Sequence, residues 1–160
     1  MAKEIERKFL VVNDSYKSEA IASHDIAQGY LSTNPEATVR VRIRDDRAFL
    51  TVKGITVGAV RDEWEYEIPV TDARGMLDCC GNAVLSKTRM LVPAQVEGCP
   101  DAKWEVDVFH GKLAGLVVAE IELPNPDTPL MLPSFVGKEV TGDVRYYNSS
   151  LVEASEVPAP

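Results

Sequence analysis

Apolar and charged side chains alternate along much of this chain with a period of two residues. The alternation is clearest in segments 39–44, 63–68, 104–108 and 120–123, where valine, isoleucine and tryptophan are interleaved with arginine, glutamate or aspartate. Successive side chains of a β-strand point to opposite faces, so a period of two indicates strands with one apolar and one charged face. The pattern therefore predicts a protein built mainly from amphipathic strands.

Eight such strands are predicted. Turn signals separate several of them, for example the tight hairpin at Asp45-Asp46-Arg47 and the glycine-bounded link 54–58. Eight short, mostly antiparallel strands favour a barrel or a sandwich. The predicted strands lie near residues 2–11, 27–33, 38–45, 48–54, 61–69, 84–92, 103–109 and 116–123.

Helices are expected to be few. The first covers 14–23, after a cap at Asn13 or Asp14, and the second covers 71–80, with a cap at Thr71 or Asp72 and an end at Gly81. A short helix over 130–137 is weakened by a proline, and a last helix is predicted over 143–154. We expect one domain over residues 1–160, with 156–160 as a flexible tail.

The charged faces are first interpreted as ordinary wet surface, and for any single strand that interpretation is preferred. Taken together, the charged faces of the strands favour a different interpretation. Arg40, Arg42 and Arg44 are spaced about 7 Å apart on one face of a strand and repel one another. Acidic rows on other strands would balance this positive charge if all the charged faces lined one cavity. A closed eight-stranded sheet creates that space, and its charged interior must hold water, metal ions and a multiply charged ligand.

The apolar faces then point outward, with Trp64 and Trp104 among them. Three or four modest helices are too few to cover a whole barrel. The sequence therefore favours a homodimer, with an outer face that is only partly apolar as the alternative.

Composition narrows the function classes. The chain has 160 residues, a hydrophobic content of 45% and a net charge of −8, which argues against a nucleic-acid partner. No apolar run is long enough to span a membrane, and the first residues lack a signal-peptide core, so the expected location is the cytoplasm. Cys79, Cys80 and Cys99 are expected to be reduced thiols.

The residue types suggest the chemistry. Paired carboxylates are typical ligands of hard cations such as Mg²⁺ or Mn²⁺, and rows of arginine and lysine are typical of phosphate binding. A site with both suits a phosphoryl group bound with a metal. The sequence contains neither a Ser-His-Asp set, nor a Cys-His pair, nor a Walker-type glycine loop.

An ordered series of motifs resembles the CYTH superfamily, the triphosphate tunnel metalloenzymes. The series begins with Glu4-x-Glu6-x-Lys8 and extends to about residue 152. Between these ends lie Gly29-Tyr30-Leu31, 39–44, 51–54, 65–68, Lys87-Thr88-Arg89, 104–111, 119–123 and 137–151. The resemblance implies an eight-stranded antiparallel tunnel with a charged interior, and a C-terminal helix that closes one end.

The resemblance also implies roles for particular residues. The metal would be held by Glu4, Glu6, Glu120 and Glu122, with Asp107 at a second metal that orients water. The phosphates would be bound by Lys8, Arg40, Arg42, Lys53, Lys87 and Arg89. Catalytic roles fall to Lys8, Tyr30 and Glu6. Arg44, Glu63 and Glu65 share the inward parity and would lie at a tunnel mouth or in a supporting ion pair.

The series is most similar to short bacterial members, which implies hydrolysis of tripolyphosphate to pyrophosphate and phosphate. Three alternatives stay open: a class IV adenylate cyclase or a thiamine or nucleoside triphosphatase on the same fold, a non-catalytic sensor of polyphosphate or nucleotide, and a protein whose charges serve only as internal ion pairs. A non-catalytic binder of polyanions gains nothing from acidic rows in the cavity unless metals bind there. The acidic rows therefore favour an enzyme.

Overall fold

Nine antiparallel strands form the body of the protein in the computed structural model, which describes residues 2–159. They are β1 (Ala2–Val11), β2 (Ala22–Ser32), β3 (Thr38–Arg44), β4 (Arg47–Lys53), β5 (Val60–Ile68), β6 (Val84–Pro93), β7 (Lys103–Phe109), β8 (Val117–Glu122) and β9 (Val136–Glu139). All eight predicted strands are present. Strand β2 begins five residues earlier than expected, and β9 was not predicted.

Eight of the strands close into a barrel. Their order is β5-β4-β3-β2-β6-β7-β8-β1, and β5 pairs with β1 to complete the ring. Strand β9 lies outside the ring and adds to β1 through the pairs Phe9–Glu139 and Val11–Val136. The prediction of an eight-stranded antiparallel barrel is confirmed, and closure brings the charged faces of all eight strands together.

The helices differ more from the sequence predictions. They are α1 (Tyr16–Glu19), α2 (Val70–Cys79) and α3 (Asn148–Leu151), with 3₁₀ turns at Gly111–Leu113 and Val144–Tyr146. Helix α2 begins directly after Pro69, which occupies the cap position, so the prediction of a cap at Thr71 or Asp72 is wrong. The predicted helix over 14–23 is reduced to one turn because the chain enters β2 at Ala22.

Two predicted helices are replaced by other structure. The segment 130–137 is irregular and leads into β9, where Gly137 passes close to Leu10 of β1 and to Val12 just after it. The segment 143–154 is a 3₁₀ turn followed by the short α3, because Tyr147 between them has extended backbone (φ −65°, ψ 136°). The C-terminal segment is therefore compact but not one helix.

Three apolar clusters pack on this frame. On the outer surface, Phe9, Trp104, Phe135 and Tyr16 make edge-to-face contacts. A second outer cluster joins α2 to β3 and β4. The third, which we call the plug cluster, combines inward side chains of one barrel end with the C-terminal segment: Tyr30, Leu85, Phe109, Val118, Val140, Tyr146, Leu151 and Val152. It closes that end of the barrel.

The outer faces are thus covered partly by irregular segments of the same chain, and not by helices alone. Trp104 is fully buried on the outside by the chain's own loops, whereas Trp64 is half-buried. Among residues 2–159 no helix is long and apolar enough to cross a membrane. Cys79, Cys80 and Cys99 are free thiols, and Cys79 is exposed.

Candidate active site

The charged strand faces converge on one cavity of about 230 Å³ inside the barrel. Every strand of the ring contributes to its wall. Of the predicted site residues, the wall contains Glu4, Glu6, Lys8, Tyr30, Arg40, Arg42, Arg44, Lys53, Glu63, Glu65, Arg89, Glu120 and Glu122. Lys87 and Asp107 do not line it. The period-two alternation therefore identified most of the wall, because each row projects from one face of one strand.

Carboxylates crowd one side of the cavity. Burial, followed by repulsion from Glu120 and Glu4, raises the pKa of Glu6 well above its ordinary value. Burial acts against Glu120 too, but Lys8 and then Arg89 hold its pKa well below the ordinary range. Burial and the neighbouring carboxylates thus disfavour the charged form of Glu6, and a side-chain hydrogen bond between Glu6 and Glu120 helps to keep the pKa of Glu120 low. Glu122 is nearby, and burial together with Glu4 and Glu105 raises its pKa.

Lys8 lies on the acidic side, buried beside the C-terminal segment. Its ammonium is 3.2 Å from Glu120 Oε1 and donates a hydrogen bond of 2.8 Å to the carbonyl oxygen of Tyr146. Burial opposes the charge of Lys8, but the attraction of Glu120 and Glu6 outweighs it and raises the pKa of the ammonium. Lys8 is therefore a fixed cation at the inner end of the cavity.

Lys53 holds a second group of carboxylates. Its ammonium lies 3.0 and 3.2 Å from the two oxygens of Glu4 and 3.7 Å from Glu63. Burial and a side-chain hydrogen bond with Glu63 raise the pKa of Glu4 to about 6, although Lys53 lowers it. Carboxylates forced together in this way gain from any additional positive charge.

The acidic side fits a divalent cation by donor type and by charge. Glu120 Oε1 is a buried oxygen that no donor in the described residues hydrogen-bonds, since Lys8 is close to it but not aligned with it. The pKa of Glu6 beside it is raised by burial and by the neighbouring carboxylates, a sign that negative charge is crowded here. No three histidine, cysteine, aspartate or glutamate residues within 2–159 are already grouped as a metal site. The side chains would therefore have to release lysine contacts to bind a metal.

Arginines form the opposite side. Arg40 donates to Thr51 Oγ1 at 3.2 Å, and its Nε is buried without an acceptor among the described residues. Arg42 donates through Nε to Gln28 Oε1 at 2.8 Å. Burial, with repulsion from Arg40 and Arg89, lowers the pKa of Arg42 to about 9. Closely spaced, desolvated cations of this kind favour a polyanionic ligand.

Arg44 and Tyr30 mark two different parts of the wall. The guanidinium of Arg44 stands 5.1 Å from the centre of the Phe49 ring and is half exposed. Tyr30 is buried and belongs to the plug cluster. The polar contacts of the Lys8 ammonium go to Glu120 and Tyr146, and within residues 2–159 no hydrogen bond joins Lys8 to Tyr30.

Lys87, Asp107 and Arg89 form a buried group behind the wall. Asp107 accepts from Arg89 Nε at 2.7 Å and from Arg89 Nη2 at 2.9 Å, and it lies 2.6 Å from the Lys87 ammonium. The side chains of Lys87 and Asp107 have no exposed area, and of the three only Arg89 reaches the cavity. Lys87 and Asp107 therefore lie behind the cavity wall, and the phosphate contact expected of Lys87 and the metal contact expected of Asp107 stay predictions.

Several residues in or directly behind the cavity wall were not predicted from the sequence. Arg61 lines the cavity, donates to Thr38 Oγ1 at 2.9 Å and shares the parity of Glu63. Gln28 and Thr51 are two residues from Tyr30 and Lys53 on the same strands. Their period-two spacing from these inward residues could have identified all three. Gln28 and Thr51 were missed because only charged residues were considered.

The C-terminal segment supplies the inner end of the cavity. Tyr147, Asn148 and Ser149 line it, and Asn148 Oδ1 accepts a hydrogen bond of 3.4 Å from Lys87. This segment is held by the apolar plug cluster and by a hydrogen bond from Lys112 to the carbonyl oxygen of Val152. The cavity is therefore closed at this end.

A family model for the CYTH domain matches residues 2–147. The chain belongs to the CYTH family. The CYTH match covers all nine strands and every cavity-lining residue except Asn148 and Ser149. Those two residues lie in α3, so the end of the C-terminal segment is the part of this site that the family match leaves out.

Two relatives and one solved structure that resemble this chain are named inorganic triphosphatase. The chain is 47% identical over 154 residues to an inorganic triphosphatase of Acetivibrio thermocellus, covering 96% of this chain and 95% of the relative. It is 33% identical over 153 residues to an inorganic triphosphatase of Nitrosomonas europaea, covering 92% and 95%. The crystal structure of the inorganic triphosphatase NE1496 superimposes with a TM-score of 0.64 at 29% identity, covering 98% of each chain.

Proposed function

We propose that this protein is a divalent-metal-dependent triphosphatase that hydrolyses inorganic tripolyphosphate to pyrophosphate and phosphate. The observation that carries the proposal is a single cavity with arginines on one side and carboxylates, interleaved with Lys8 and Lys53, on the other. The former suits phosphate oxygens and the latter suits a hard cation. The names of the two relatives support the same substrate.

The cations of the wall would bind the phosphates. Arg40, Arg42 and Arg89 present guanidinium groups, which bind phosphate oxygens in a bidentate way. Lys8 and Lys53 each contact carboxylates at present and would exchange those contacts for phosphate oxygens. Arg44, at the half-exposed part of the wall, would meet the substrate as it enters.

Glu4, Glu6, Glu120 and Glu122 would hold the metal, with Mg²⁺ or Mn²⁺ as the expected ion. A bound metal neutralises phosphate charge and polarises a phosphoryl oxygen. On the protein side, Lys8 and Glu6 flank the inner end where that charge collects, and Tyr30 shapes the wall beside them. The raised pKa of Lys8 keeps its ammonium charged into the alkaline range, which suits an enzyme assayed near pH 9.

The closed inner end favours a compact substrate. Tyr147, Asn148 and Ser149 occupy the space into which an organic group would otherwise extend. Trp104, which could stack on a base or a thiazole ring, is buried on the outside of the barrel. These features favour tripolyphosphate over a nucleotide or thiamine triphosphate. A homodimer and a cytoplasmic location remain predictions from the sequence.

Phosphate release is the direct test. The wild-type protein is assayed near pH 9 with tripolyphosphate, ATP or thiamine triphosphate, with added Mg²⁺ or Mn²⁺ and with EDTA. We expect metal-dependent release that is fastest from tripolyphosphate and that falls at least 100-fold in Glu6→Gln, because the variant lacks a metal-binding carboxylate. Glu19→Gln, at an exposed position in α1, is the matched control and should retain full activity.

Each contrary result has a separate meaning. Turnover of ATP equal to or greater than that of tripolyphosphate contradicts the inorganic substrate. Release that persists in EDTA contradicts the metal requirement. Folded protein that binds tripolyphosphate without releasing phosphate would make the protein a sensor.

A further inference from the structure

We propose that Asp107 is a positioning residue, which fixes Arg89 against the cavity and keeps Lys87 paired behind it, and that it does not bind the metal. The inference rests on the proposed function for the identity of the anion that Arg89 meets. It assigns to Asp107 a role in substrate affinity, in place of the metal-binding role that the family resemblance implied.

Asp107 and Arg89 form a bidentate salt bridge. Arg89 Nε reaches Asp107 Oδ1 at 2.7 Å and Nη2 reaches Oδ2 at 2.9 Å. The two residues are directly opposite each other in the pairing of β6 with β7. Two parallel hydrogen bonds fix the plane of the guanidinium as well as its position. A third bond, from Nη1 to Glu105 Oε2 at 2.9 Å, completes the restraint.

The remaining donors of Arg89 are left for a ligand. A guanidinium has five N–H donors, and the three bonds to Asp107 and Glu105 engage three of them. Arg89 lines the cavity while Asp107 lies behind it. The carboxylate therefore restrains the arginine from the rear, and its free N–H groups are presented to the cavity.

Lys87 is the second cation that Asp107 holds. Its ammonium is 2.6 Å from Asp107 Oδ2, 3.4 Å from Asn148 Oδ1 and 5.4 Å from the centre of the Phe109 ring. The side chains of Lys87 and Asp107 are both fully buried. Without Asp107, the Lys87 ammonium would lose its ion pair and Arg89 would keep only the pair with Glu105, which is unfavourable for two neighbouring buried cations.

A carboxylate that binds a metal must turn an oxygen toward the ion, whereas both oxygens of Asp107 face the cations Arg89 and Lys87. Oδ1 accepts from Arg89, and Oδ2 is shared by Arg89 and Lys87. A divalent cation at this carboxylate would have to stand beside two cations in a region without solvent. The chemistry of the surroundings thus suits a counter-ion and opposes a metal-binding role.

The test measures two affinities separately, so that it does not depend on turnover. Tripolyphosphate binding is measured by titration calorimetry in metal-depleted buffer, and Mn²⁺ binding is measured without substrate. For Asp107→Asn we expect tripolyphosphate affinity to fall at least tenfold while Mn²⁺ affinity stays within twofold of the wild type. Glu6→Gln, the metal-site reference, should lose Mn²⁺ affinity at least tenfold.

A double-variant cycle separates positioning through Arg89 from a general loss of structure. If Asp107 acts through Arg89, then the pair Asp107→Asn with Arg89→Gln binds tripolyphosphate no more weakly than Arg89→Gln alone. The paired variant removes one negative and one positive charge, so it stays informative even where Asp107→Asn alone does not fold. Folding of each variant is checked by circular dichroism.

Two results overturn the inference. The first is a tenfold loss of Mn²⁺ affinity in Asp107→Asn or in the paired variant, which would make Asp107 a metal ligand. The second is a folded Asp107→Asn variant with wild-type tripolyphosphate affinity. Absence of phosphate release by a wild-type protein that binds tripolyphosphate would count against the proposed function and leave this inference standing.

Discussion

At the scale of single residues, the cavity depends on side chains that hold its charges in place. Three cavity arginines each donate to a side chain on a neighbouring strand: Arg40 to Thr51, Arg42 to Gln28 and Arg89 to Asp107. A cation held by a packed neighbour loses little freedom when an anion binds it, so it binds more tightly than a mobile one. If the cavity binds the polyanion proposed above, we expect the supporting side chains to contribute to its affinity from behind the arginines.

Glu6 gives a pH-dependent prediction. Its pKa is raised in the folded protein because of burial and then because of Glu120, so the folded state holds the proton more tightly than the unfolded state does. As the pH rises above about 4.5, its ordinary pKa, the unfolded state loses that proton first, and stability falls. Glu6→Gln carries no such proton and donates to Glu120 as the protonated carboxyl does.

The melting temperature of Glu6→Gln should therefore exceed that of the wild type by a margin that grows as the pH rises. Melting curves in metal-depleted buffer from pH ~4 to ~9 measure the margin, and we expect a few degrees at the upper end. Added Mg²⁺ should narrow it, since the metal replaces the missing proton in the wild type only. A margin that is constant with pH would contradict the placement of Glu6 among carboxylates.

The residue types of the site could be predicted from the sequence, but their partners could not. The period of two located Arg42 and Arg89 on inward faces without any structure. The pairing of Arg42 with Gln28, and of Arg89 with Asp107, follows from the register of neighbouring strands. Register depends on turns and on packing across the barrel. For this reason Asp107 was grouped with the metal-binding carboxylates, and Gln28 was not identified as a partner of Arg42.

At the scale of elements, strands were predictable because each one carries its own alternation, whereas the short helices carry little signal. The segment 130–137 was predicted as a helix, although its last two residues begin β9. Strand β1 is ten residues long and offers a free edge beyond its pairing with β5. Pairing with that edge is a tertiary effect, and it overrides the weak local preference of a segment that contains Pro133.

The packing of α2 on the barrel depends on the small size of Gly29 in β2. A Cβ atom at this position would lie 2.8 Å from Cys80 Sγ and 3.1 Å from Leu77 Cδ2. We expect Gly29→Ala to lower the free energy of unfolding by about 1–3 kcal/mol, because α2 must move or repack. Urea unfolding at equilibrium gives the value.

Gly75, inside α2, is the matched control. A Cβ atom there meets nothing within 4 Å, and alanine is a better helix former than glycine by about 0.5–1 kcal/mol. Gly75→Ala should therefore raise stability while Gly29→Ala lowers it. Equal effects of the two substitutions would mean that α2 does not press on β2 at this contact.

At the scale of the whole molecule, the protein encloses a group of cations together with carboxylates in a chain of net charge −8. Some arginines and lysines line the cavity, others such as Lys3 and Arg7 do not, and the plug cluster closes one end. That closure was expected from the family resemblance, but its form was not. The C-terminal segment is anchored by Tyr146, Leu151 and Val152 in an apolar cluster, and its backbone reaches Lys8.

The plug cluster should set the length of substrate that the cavity accepts. Leu151 is fully buried in it, so Leu151→Ala removes apolar contacts that hold Tyr147, Asn148 and Ser149 at the inner end. We expect the variant to hydrolyse longer linear polyphosphate faster relative to tripolyphosphate than the wild type does. The measurement is the ratio of the two values of kcat/KM.

Leu123→Ala separates this effect from simple destabilisation. Leu123 is also buried, but it packs in the outer cluster with Trp104 and away from the C-terminal segment. Both substitutions should cost about 2–5 kcal/mol of stability, and only Leu151→Ala should change the substrate ratio. A change of the same size in both variants would show that loosening the barrel anywhere relaxes the selection of length. A change confined to Leu151→Ala would place that selection in the segment that closes the inner end.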